Sequence, residues 1–209
     1  MRVLVLNSGS SSVKYQLVES DSGERLAGGI VEEVVDHVAA LSEVVAAIEH
    51  LGEPIEAVGH RVVHGGDVFS EPTLVDDDVV AAVRALVPLA PLHNPANLAG
   101  IEAARAHWPT VAQVAVFDTA FHRTLPPAAY RYAVPESWFV EHGVRRYGFH
   151  GTSHDLVSTR AAGALGTPRS ELDLIVAHLG NGASITAVQG GRSVETSMGL
   201  SPLEGLVMG

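Results

Sequence analysis

The sequence Met1-Arg-Val-Leu-Val-Leu-Asn-Ser-Gly-Ser-Ser-Ser-Val-Lys-Tyr-Gln-Leu17 predicts two strands joined by a polar turn. The apolar run at residues 3–6 is typical of a buried strand, and residues 13–18 alternate apolar and polar side chains as a second strand does. The turn between them offers backbone N–H groups and hydroxyls to an anion such as phosphate. It is not a Walker loop, because no Gly directly precedes Lys14 and no Ser or Thr follows it. A plain polar surface turn is the alternative.

A second stretch, residues 174–188, has the same plan. An apolar strand runs into His178, a Gly180-Asn181-Gly182 tip follows, and a strand resumes at Ser184. The two hairpins align at Leu6 with Ala177, Gly9 with Gly180 and Ser12 with Ser184. The repetition suggests two related halves, each bringing one tip to a shared ligand, for which the phosphates of a nucleotide are the best candidate.

Composition excludes several classes of protein. The chain has 209 residues, of which 46% are apolar, so it can bury a substantial core. It has no cysteine, which rules out disulfides and thiolate metal sites and fits a cytoplasmic protein. The formal charge of −11 argues against nucleic-acid and anionic-membrane partners. We find neither a secretory signal nor an apolar run of the roughly 20 residues that a membrane helix needs.

The remaining pattern alternates strands and helices, which predicts an α/β fold with a mostly parallel sheet. A domain boundary is expected near Tyr147-Gly148, where the second half of the repeat begins. The predicted strands are at residues 55–58 and 111–117. Two helices are predicted over residues 38–51, closed by Gly52, and from Pro95 to His107. Two more are a helix that begins in the acidic residues 76–78 and a helix capped by Thr152 or Ser153 that runs to Leu165.

Three polar positions are candidates for a site. Asp118 directly follows a predicted strand, where α/β proteins place ligands, although it could also cap a turn. Arg61 stands between apolar residues and two glycines, so anion binding and a structural ion pair are about equally plausible. His150 and His154 are four residues apart, but the expected helix start between them disfavours a zinc site. No role is assigned to His37, His50, His107, His122 and His142.

Seven segments, in this order, resemble the motifs of acetate kinases. They are Asn7-Ser-Gly-Ser-Ser-Ser-Val-Lys14, His60-Arg-Val-Val-His-Gly-Gly66, Pro91-Leu-His-Asn-Pro-Ala-Asn97, Phe117-Asp-Thr-Ala-Phe-His122, Tyr147-Gly-Phe-His-Gly-Thr-Ser-His154, His178-Leu-Gly-Asn-Gly-Ala-Ser184 and Thr196-Ser-Met-Gly-Leu-Ser-Pro-Leu-Glu-Gly205. The resemblance implies the ribonuclease-H-like fold of the superfamily of acetate and sugar kinases, Hsp70 and actin. Glu195 and Ser201 depart from the usual Asp and Thr of the family.

The resemblance also implies a longer parent protein, since family chains are nearly twice this length. Residues 1–147 would form the N-terminal acetokinase domain, and 148–209 would begin a second, nucleotide-binding domain. Family members carry further functional groups in the part that has no counterpart here, namely a phosphoryl-contacting Arg, an adenosine pocket and a magnesium-binding Glu. We therefore expect residues 1–209 alone to be inactive and to self-associate through an uncovered sheet.

The resemblance assigns roles residue by residue for transfer of the γ-phosphoryl group of ATP to acetate. Asp118, His93 and His150 would be catalytic, and Asn7 would help to hold Mg²⁺. Substrate would be bound by Arg61 through the acetate carboxylate and by Val63, Leu92, Phe149 and Pro202 around its methyl group. The nucleotide, ATP or ADP, would be bound by Ser12, Lys14, His178, Gly180, Asn181 and Gly182.

Other functions remain open on the sequence alone. Propionate and butyrate kinases share the same machinery, although Val63 and Phe149 favour a two- or three-carbon acid. A non-catalytic nucleotide-binding module of the actin and Hsp70 kind would explain the twin hairpins, but not Arg61, His93 and His150. Phosphate-lyase or hydrolase chemistry would leave the apolar pocket unexplained. In the full-length protein a homodimer is expected.

Overall fold

The computed structural model describes residues 1–49, 51–52 and 54–208. Their contacts divide the chain into two compact units. The first unit is Met1–His64 with Pro72–Val116, and the second is Gly65–Glu71 with the residues from Phe117 onward. The boundary predicted near Tyr147-Gly148 falls inside the second unit, and the assignment of residues 1–147 and 148–209 to two domains stays a prediction. His50 lies outside the described residues.

The first unit is built on a six-stranded sheet in the order β3-β2-β1-β4-β6-β5. Its elements are β1 (Arg2–Ser8), β2 (Ser12–Glu19), β3 (Arg25–Glu32), α1 (His37–Glu49), β4 (Ala57–Val62), β5 (Thr73–Leu74), α2 (Asp77–Ala85), α3 (Asn94–His107) and β6 (Ala112–Phe117). Among the strand pairs whose direction is described, β1–β4 is parallel, whereas β1–β2, β2–β3 and β5–β6 are antiparallel. The prediction of a mostly parallel sheet is therefore wrong, because two hairpin connections extend the sheet on one side.

The first hairpin forms as its sequence predicts. In the β1–β2 register, Leu4 pairs with Leu17 and Leu6 with Tyr15. Leu4, Leu6 and Leu17 are almost fully buried in a core that also contains Val44 and Val58. The alternate residues point to the opposite face of the sheet, as the two-residue period of a strand requires.

β3 was missed because Gly28 and Gly29 interrupt its pattern, and glycines in a strand weaken the sequence signal. The structure gives them a reason. A Cβ at Gly28 would lie 2.9 Å from the carbonyl oxygen of Tyr15, and one at Gly29 would lie 2.9 Å from the Tyr15 hydroxyl. The glycines therefore make room for Tyr15, which packs against the core.

The helices of the first unit lie where the sequence predicts them. α1 buries Ala40, Leu41, Val44 and Ile48, although its predicted apolar face included Val38, which is exposed. At the start of α2, the Asp76 carboxylate accepts a hydrogen bond of 2.8 Å from the N–H of Val79. The predicted strand at residues 55–58 begins two residues later, at Ala57.

The second unit contains a three-stranded antiparallel sheet in the order β7-β8-β9. Its elements are α4 (Pro127–Tyr130), α5 (Glu136–His142), α6 (Gly151–Leu165), β7 (Asp173–Leu179), β8 (Ala183–Gln189) and β9 (Arg192–Thr196). The β7–β8 hairpin confirms the predicted repeat of the first hairpin, whereas β9 was not predicted. No helix in the described part of the chain combines the length and hydropathy needed to span a bilayer.

The predicted cap of α6 is wrong. Neither Thr152 nor Ser153 is the N-cap, because both lie inside the first turn of the helix. The N-cap is His150, whose backbone is left-handed at φ 59° and whose side chain makes no capping hydrogen bond. This conformation is uncommon for residues other than glycine, although histidine adopts it more often than most, and sequence patterns do not reveal it.

Candidate functional site

In the first unit, three predicted site residues lie across neighbouring strands on the open face of the sheet. Asn7 of β1 is the direct cross-strand partner of Lys14 of β2. Arg61 of β4 donates a long hydrogen bond of 3.5 Å from Nη1 to the Oδ1 atom of Asn7. One amide is thus flanked by two cations, an arrangement that attracts anions.

A shallow cavity of about 490 Å³ opens on the same face. Asn7 and Lys14 line it together with Tyr15, Gln16 and Arg25. Arg25 was not predicted as a site residue, because it begins the strand that the sequence pattern failed to reveal. Its cation makes the cavity more favourable for a negatively charged ligand.

The asparagines of Pro91-Leu-His-Asn-Pro-Ala-Asn97 hold two strand ends in place. Asn97 accepts a hydrogen bond of 3.0 Å from the N–H of Val63 and donates one of 2.7 Å to the carbonyl oxygen of Ser8. Asn94 exchanges two hydrogen bonds with the backbone of His64, at 3.2 and 3.0 Å. α3 thereby fixes the ends of β1 and β4, next to which Asn7 and Arg61 lie.

The tip of the first hairpin is supported by a residue to which the sequence assigned no role. The N–H of Gly9 donates to the carbonyl oxygen of Ser12 at 2.8 Å and so closes the turn. His37, the first residue of α1, donates from Nε2 to the carbonyl oxygen of Gly9 at 3.1 Å. Twenty-eight residues separate His37 from Gly9, so no local sequence signal could have revealed this contact.

In the second unit, the glycine tip lies beside two stacked histidines. The N–H of Gly180 donates to the carbonyl oxygen of Gly182 at 3.0 Å, which closes the turn. The rings of His150 and His178 stack with centroids 4.0 Å apart and an angle of 22° between their planes. A Cβ at Gly182 would lie 3.1 Å from both Nε2 and Cε1 of His150. The structure thus brings together four of the predicted site residues of this unit, His150, His178, Gly180 and Gly182.

Asp118 lies at the end of β6 and is buried. Its carbonyl oxygen accepts a hydrogen bond of 2.8 Å from the N–H of Gly151, the first residue of α6. The neighbouring Thr119 accepts a hydrogen bond of 2.9 Å at Oγ1 from the N–H of Gly65. The hydrogen bond between Asp118 and Gly151 joins the end of β6 to the start of α6, so it lies directly beside His150.

His122 also supports this region, although the sequence assigned it no role. Because a carbonyl oxygen can only accept, Nε2 of His122 donates the 2.9 Å hydrogen bond to Phe149, and Nδ1 accepts one of 2.8 Å from the Ser193 hydroxyl. Burial lowers the pKa of His122 to about 4, so the ring is neutral near pH 7. It anchors the backbone immediately before His150.

The remaining predicted residues differ in exposure within their own units. Phe149 is 3% exposed and Val63 is half-buried, whereas Leu92 is 75% exposed. His93 is exposed at the start of α3, and Pro202 is half-buried. Their predicted roles, like those of Ser12 and Asn181, stay predictions.

Among the described residues, no group of three or more His, Asp or Glu side chains is arranged to hold a metal ion. Mg²⁺ in phosphoryl-transfer sites is usually held by one or two protein oxygens together with substrate phosphates and water. The Oδ1 atom of Asn7 is an oxygen of the right kind, but it also faces the guanidinium of Arg61. Asn7 therefore fits as one ligand of a nucleotide-bound Mg²⁺ and not as part of a protein cage.

Comparison with known proteins identifies the family. The model of the acetokinase family matches residues 2–49 and 35–209, which together take in nearly the whole chain. The chain belongs to the acetokinase family. It is 57% identical to the acetate kinase of Pseudarthrobacter chlorophenolicus, with 100% of this chain and 58% of that protein aligned. The chain therefore spans less than two thirds of the length of this relative.

Solved structures of the acetokinase family agree with the fold. The structure resembles the Porphyromonas gingivalis acetate kinase with a TM-score of 0.95 and 44% identity, covering 99% of this chain and 59% of that one. A propionate kinase from Francisella tularensis matches with a TM-score of 0.91 and 42% identity, with the same coverage. The expectation of an actin-like ATPase fold is confirmed.

Proposed function

We propose that the complete protein transfers the γ-phosphoryl group of ATP to acetate, giving acetyl phosphate and ADP. The observation that carries this proposal is His150, held in a left-handed conformation and stacked on His178 beside the Gly182 tip. A module that only bound nucleotide would not need an imidazole fixed at this position. Membership of the acetokinase family supports the same reaction.

Arg61 would bind the carboxylate of acetate. A guanidinium can hold both carboxylate oxygens, and its charge offsets the repulsion between acetate and the phosphates of ATP. Val63, Leu92, Phe149 and Pro202 would surround the methyl group and limit the size of the acid. Propionate is the alternative substrate, and similarity to a propionate kinase keeps it open.

The nucleotide would contact the two hairpin tips. Lys14 and Ser12 would contact phosphate oxygens from the first hairpin, and His178 with residues 180–182 would do so from the second. Lys14 is exposed and Asn181 lies at an exposed tip, so both are accessible to a ligand. Mg²⁺ would neutralise phosphate charge when bound, with Asn7 as one of its ligands.

The chemistry would rest on positioning and charge neutralisation. Acetate is already ionised at neutral pH, so no general base is required. Asp118 would act through the metal ion or orient the nucleophile, and His93 and His150 would donate hydrogen bonds to the phosphoryl oxygens as charge spreads over them. We further propose a homodimer in the cytoplasm as the working form of the protein.

Trapping the product with hydroxylamine tests this proposal. The complete gene product, incubated with ATP, Mg²⁺ and acetate, should form acetyl hydroxamate and release ADP in equal amounts. A panel of acetate, propionate and butyrate then ranks the acids, and acetate should give the highest kcat/KM. ADP release without hydroxamate would indicate a hydrolase, and the absence of both would leave a nucleotide-binding module.

A further inference from the structure

The hydroxyl group of Ser184 lies between two histidines of the second unit. Its Oγ atom is 2.9 Å from Nδ1 of His150 and 2.8 Å from Nε2 of His154. Ser184 is fully buried near the start of β8. A hydroxyl has a single proton, so it can donate to only one of two neutral rings, and the other ring must donate to it.

His154 determines the direction of this chain of hydrogen bonds. The residue is fully buried, and burial lowers its pKa to about 3, so the ring is neutral near pH 7. Its Nδ1 atom is buried and has no hydrogen-bond partner among the described residues. Buried N–H groups without an acceptor are rarer in proteins than unsatisfied acceptors. The proton of His154 therefore lies on Nε2 and is donated to Ser184.

The donor and acceptor roles at Ser184 also fix those at His150. Because Ser184 accepts from His154, its own proton can be donated to Nδ1 of a neutral His150. An imidazole that accepts at Nδ1 carries its proton on Nε2. Nε2 and Cε1 form the edge of the ring that faces the Gly182 tip.

We propose that His150 is neutral and that Ser184 and His154 are positioning residues that hold it in the tautomer with its proton on Nε2. The inference rests on the proposed function, in which His150 donates a hydrogen bond to a phosphoryl oxygen. The opposite tautomer would present a lone pair to the phosphoryl group and would repel it. Stacking on His178, whose Nδ1 is hydrogen-bonded to Ser153 at 2.9 Å, holds the plane of the ring but leaves its tautomer open.

Nitrogen-15 NMR of the histidine rings tests the tautomer directly. In the complete gene product with labelled histidine near pH 7.5, His150 should show an unprotonated Nδ1 and a protonated Nε2. His154 should show the same pattern. A protonated Nδ1 on His150 would overturn the proposal. Since this measurement does not depend on turnover, it is separate from the test of kinase activity.

Ser184→Ala removes the hydroxyl that His150 and His154 share. Ser153→Ala is the matched control, because it removes a hydroxyl from Nδ1 of His178 just as Ser184→Ala removes one from Nδ1 of His150. Ser184→Ala should leave His150 in a mixture of tautomers and lower kcat by at least roughly 10-fold, with a smaller change in the KM for ATP. Ser153→Ala should change the spectrum of His178 and leave the His150 tautomer intact. An unchanged His150 tautomer in Ser184→Ala would overturn the proposal.

His154→Gln and His154→Leu provide a second test. The amide of glutamine can still donate to Ser184, whereas leucine fills space without a donor. We expect His154→Gln to retain the Nε2 proton on His150 and His154→Leu to lose it, with both variants compared only where they unfold as cooperatively as the parent. If the two variants give the same tautomer, His154 only fills space and the proposal fails.

Discussion

The N–H of Gly151 donates a hydrogen bond of 2.8 Å to the carbonyl oxygen of Asp118. The contact joins the start of α6 to the end of β6, and no side chain fits between them. A Cβ at Gly151 would lie 2.3 Å from that same oxygen. The positions of Asp118 and His150, both proposed to act in catalysis, thus require a glycine at residue 151.

Gly151→Ala should therefore separate the helix from the strand end. We expect the free energy of unfolding to fall by about 1–3 kcal/mol, as overpacking typically costs, and turnover to fall as well. Gly163→Ala in the same helix is the control, because a Cβ there meets nothing within 4 Å. That variant should gain about 0.5–1 kcal/mol from helix propensity. Equal stability of the two variants in urea denaturation would show that the backbone at Gly151 and Asp118 can move apart without cost.

Arg61→Ala should raise the KM for acetate steeply in the complete gene product. The lost contact is a charge-assisted hydrogen bond, so an increase of roughly 10- to 100-fold is expected, with little change in the KM for ATP. Arg84→Ala removes the same charge from the surface of α2, where Arg84 pairs with Glu102, and should leave the kinetics unchanged. Equal acetate dependence in both variants would remove Arg61 from the site.

Buried histidines should make the protein less stable in mild acid. Burial lowers the pKa of His60 and His122 to about 4, below the usual value of 6.5. The unfolded chain then binds more protons than the folded one between these pH values, so stability is complete above pH 6.5 and falls as the pH drops towards 4. At pH 5 each histidine should cost about 2 kcal/mol.

Urea denaturation at pH 7.5 and pH 5 measures this loss. His60→Gln can keep a hydrogen bond to Gln113 without titrating, so its stability should depend less on pH than that of the parent. His107→Gln removes an exposed histidine and should leave the dependence as it is. Equal stability of the parent protein at both pH values would contradict the claim that His60 and His122 are buried in their neutral form.

The 209-residue chain, purified alone, should self-associate. β7 is an edge strand of its sheet in the described part of the chain, and its Ile175 and Leu179 side chains are 74% and 75% exposed. An apolar edge of this kind pairs readily with another copy. Replacing both residues with Lys should yield a monomer in light scattering, whereas Val140→Lys on α5 should not. A monomeric parent chain would refute this expectation.

The sequence revealed the elements with local signals and missed those that depend on distant contacts. The first hairpin, the acidic residues 76–78 at the start of α2 and Pro95 in the first turn of α3 each belong to a short pattern with a known physical cause. β3 contains two glycines that leave space for Tyr15. Because glycines usually indicate a break between elements, the sequence pattern does not predict this strand. The left-handed His150 at the start of α6 adjoins the close contact of Gly151 with Asp118, which only the folded chain creates.

The candidate site divides in the same way. Motif resemblance selected Asn7, Arg61 and His150, and the geometry gives each of them polar neighbours within its own unit. The sequence assigned no role to the supporting residues His37, Ser184 and His122, although Ser184 and His122 lie in motifs that resemble those of acetate kinases. Each contacts its partner across at least 27 residues, so the pairing depends on the tertiary fold.

Phosphorus-31 NMR of the reaction mixture tests the central claim most directly. The complete gene product with ATP, Mg²⁺ and acetate should produce an acyl-phosphate signal together with ADP, and both should depend on acetate. Asp118→Asn keeps the shape of the side chain but removes its charge, so it should abolish the acyl-phosphate signal while the protein still unfolds cooperatively. Orthophosphate as the only new product, or no change in the ATP signals, would contradict the assignment as an acetate kinase.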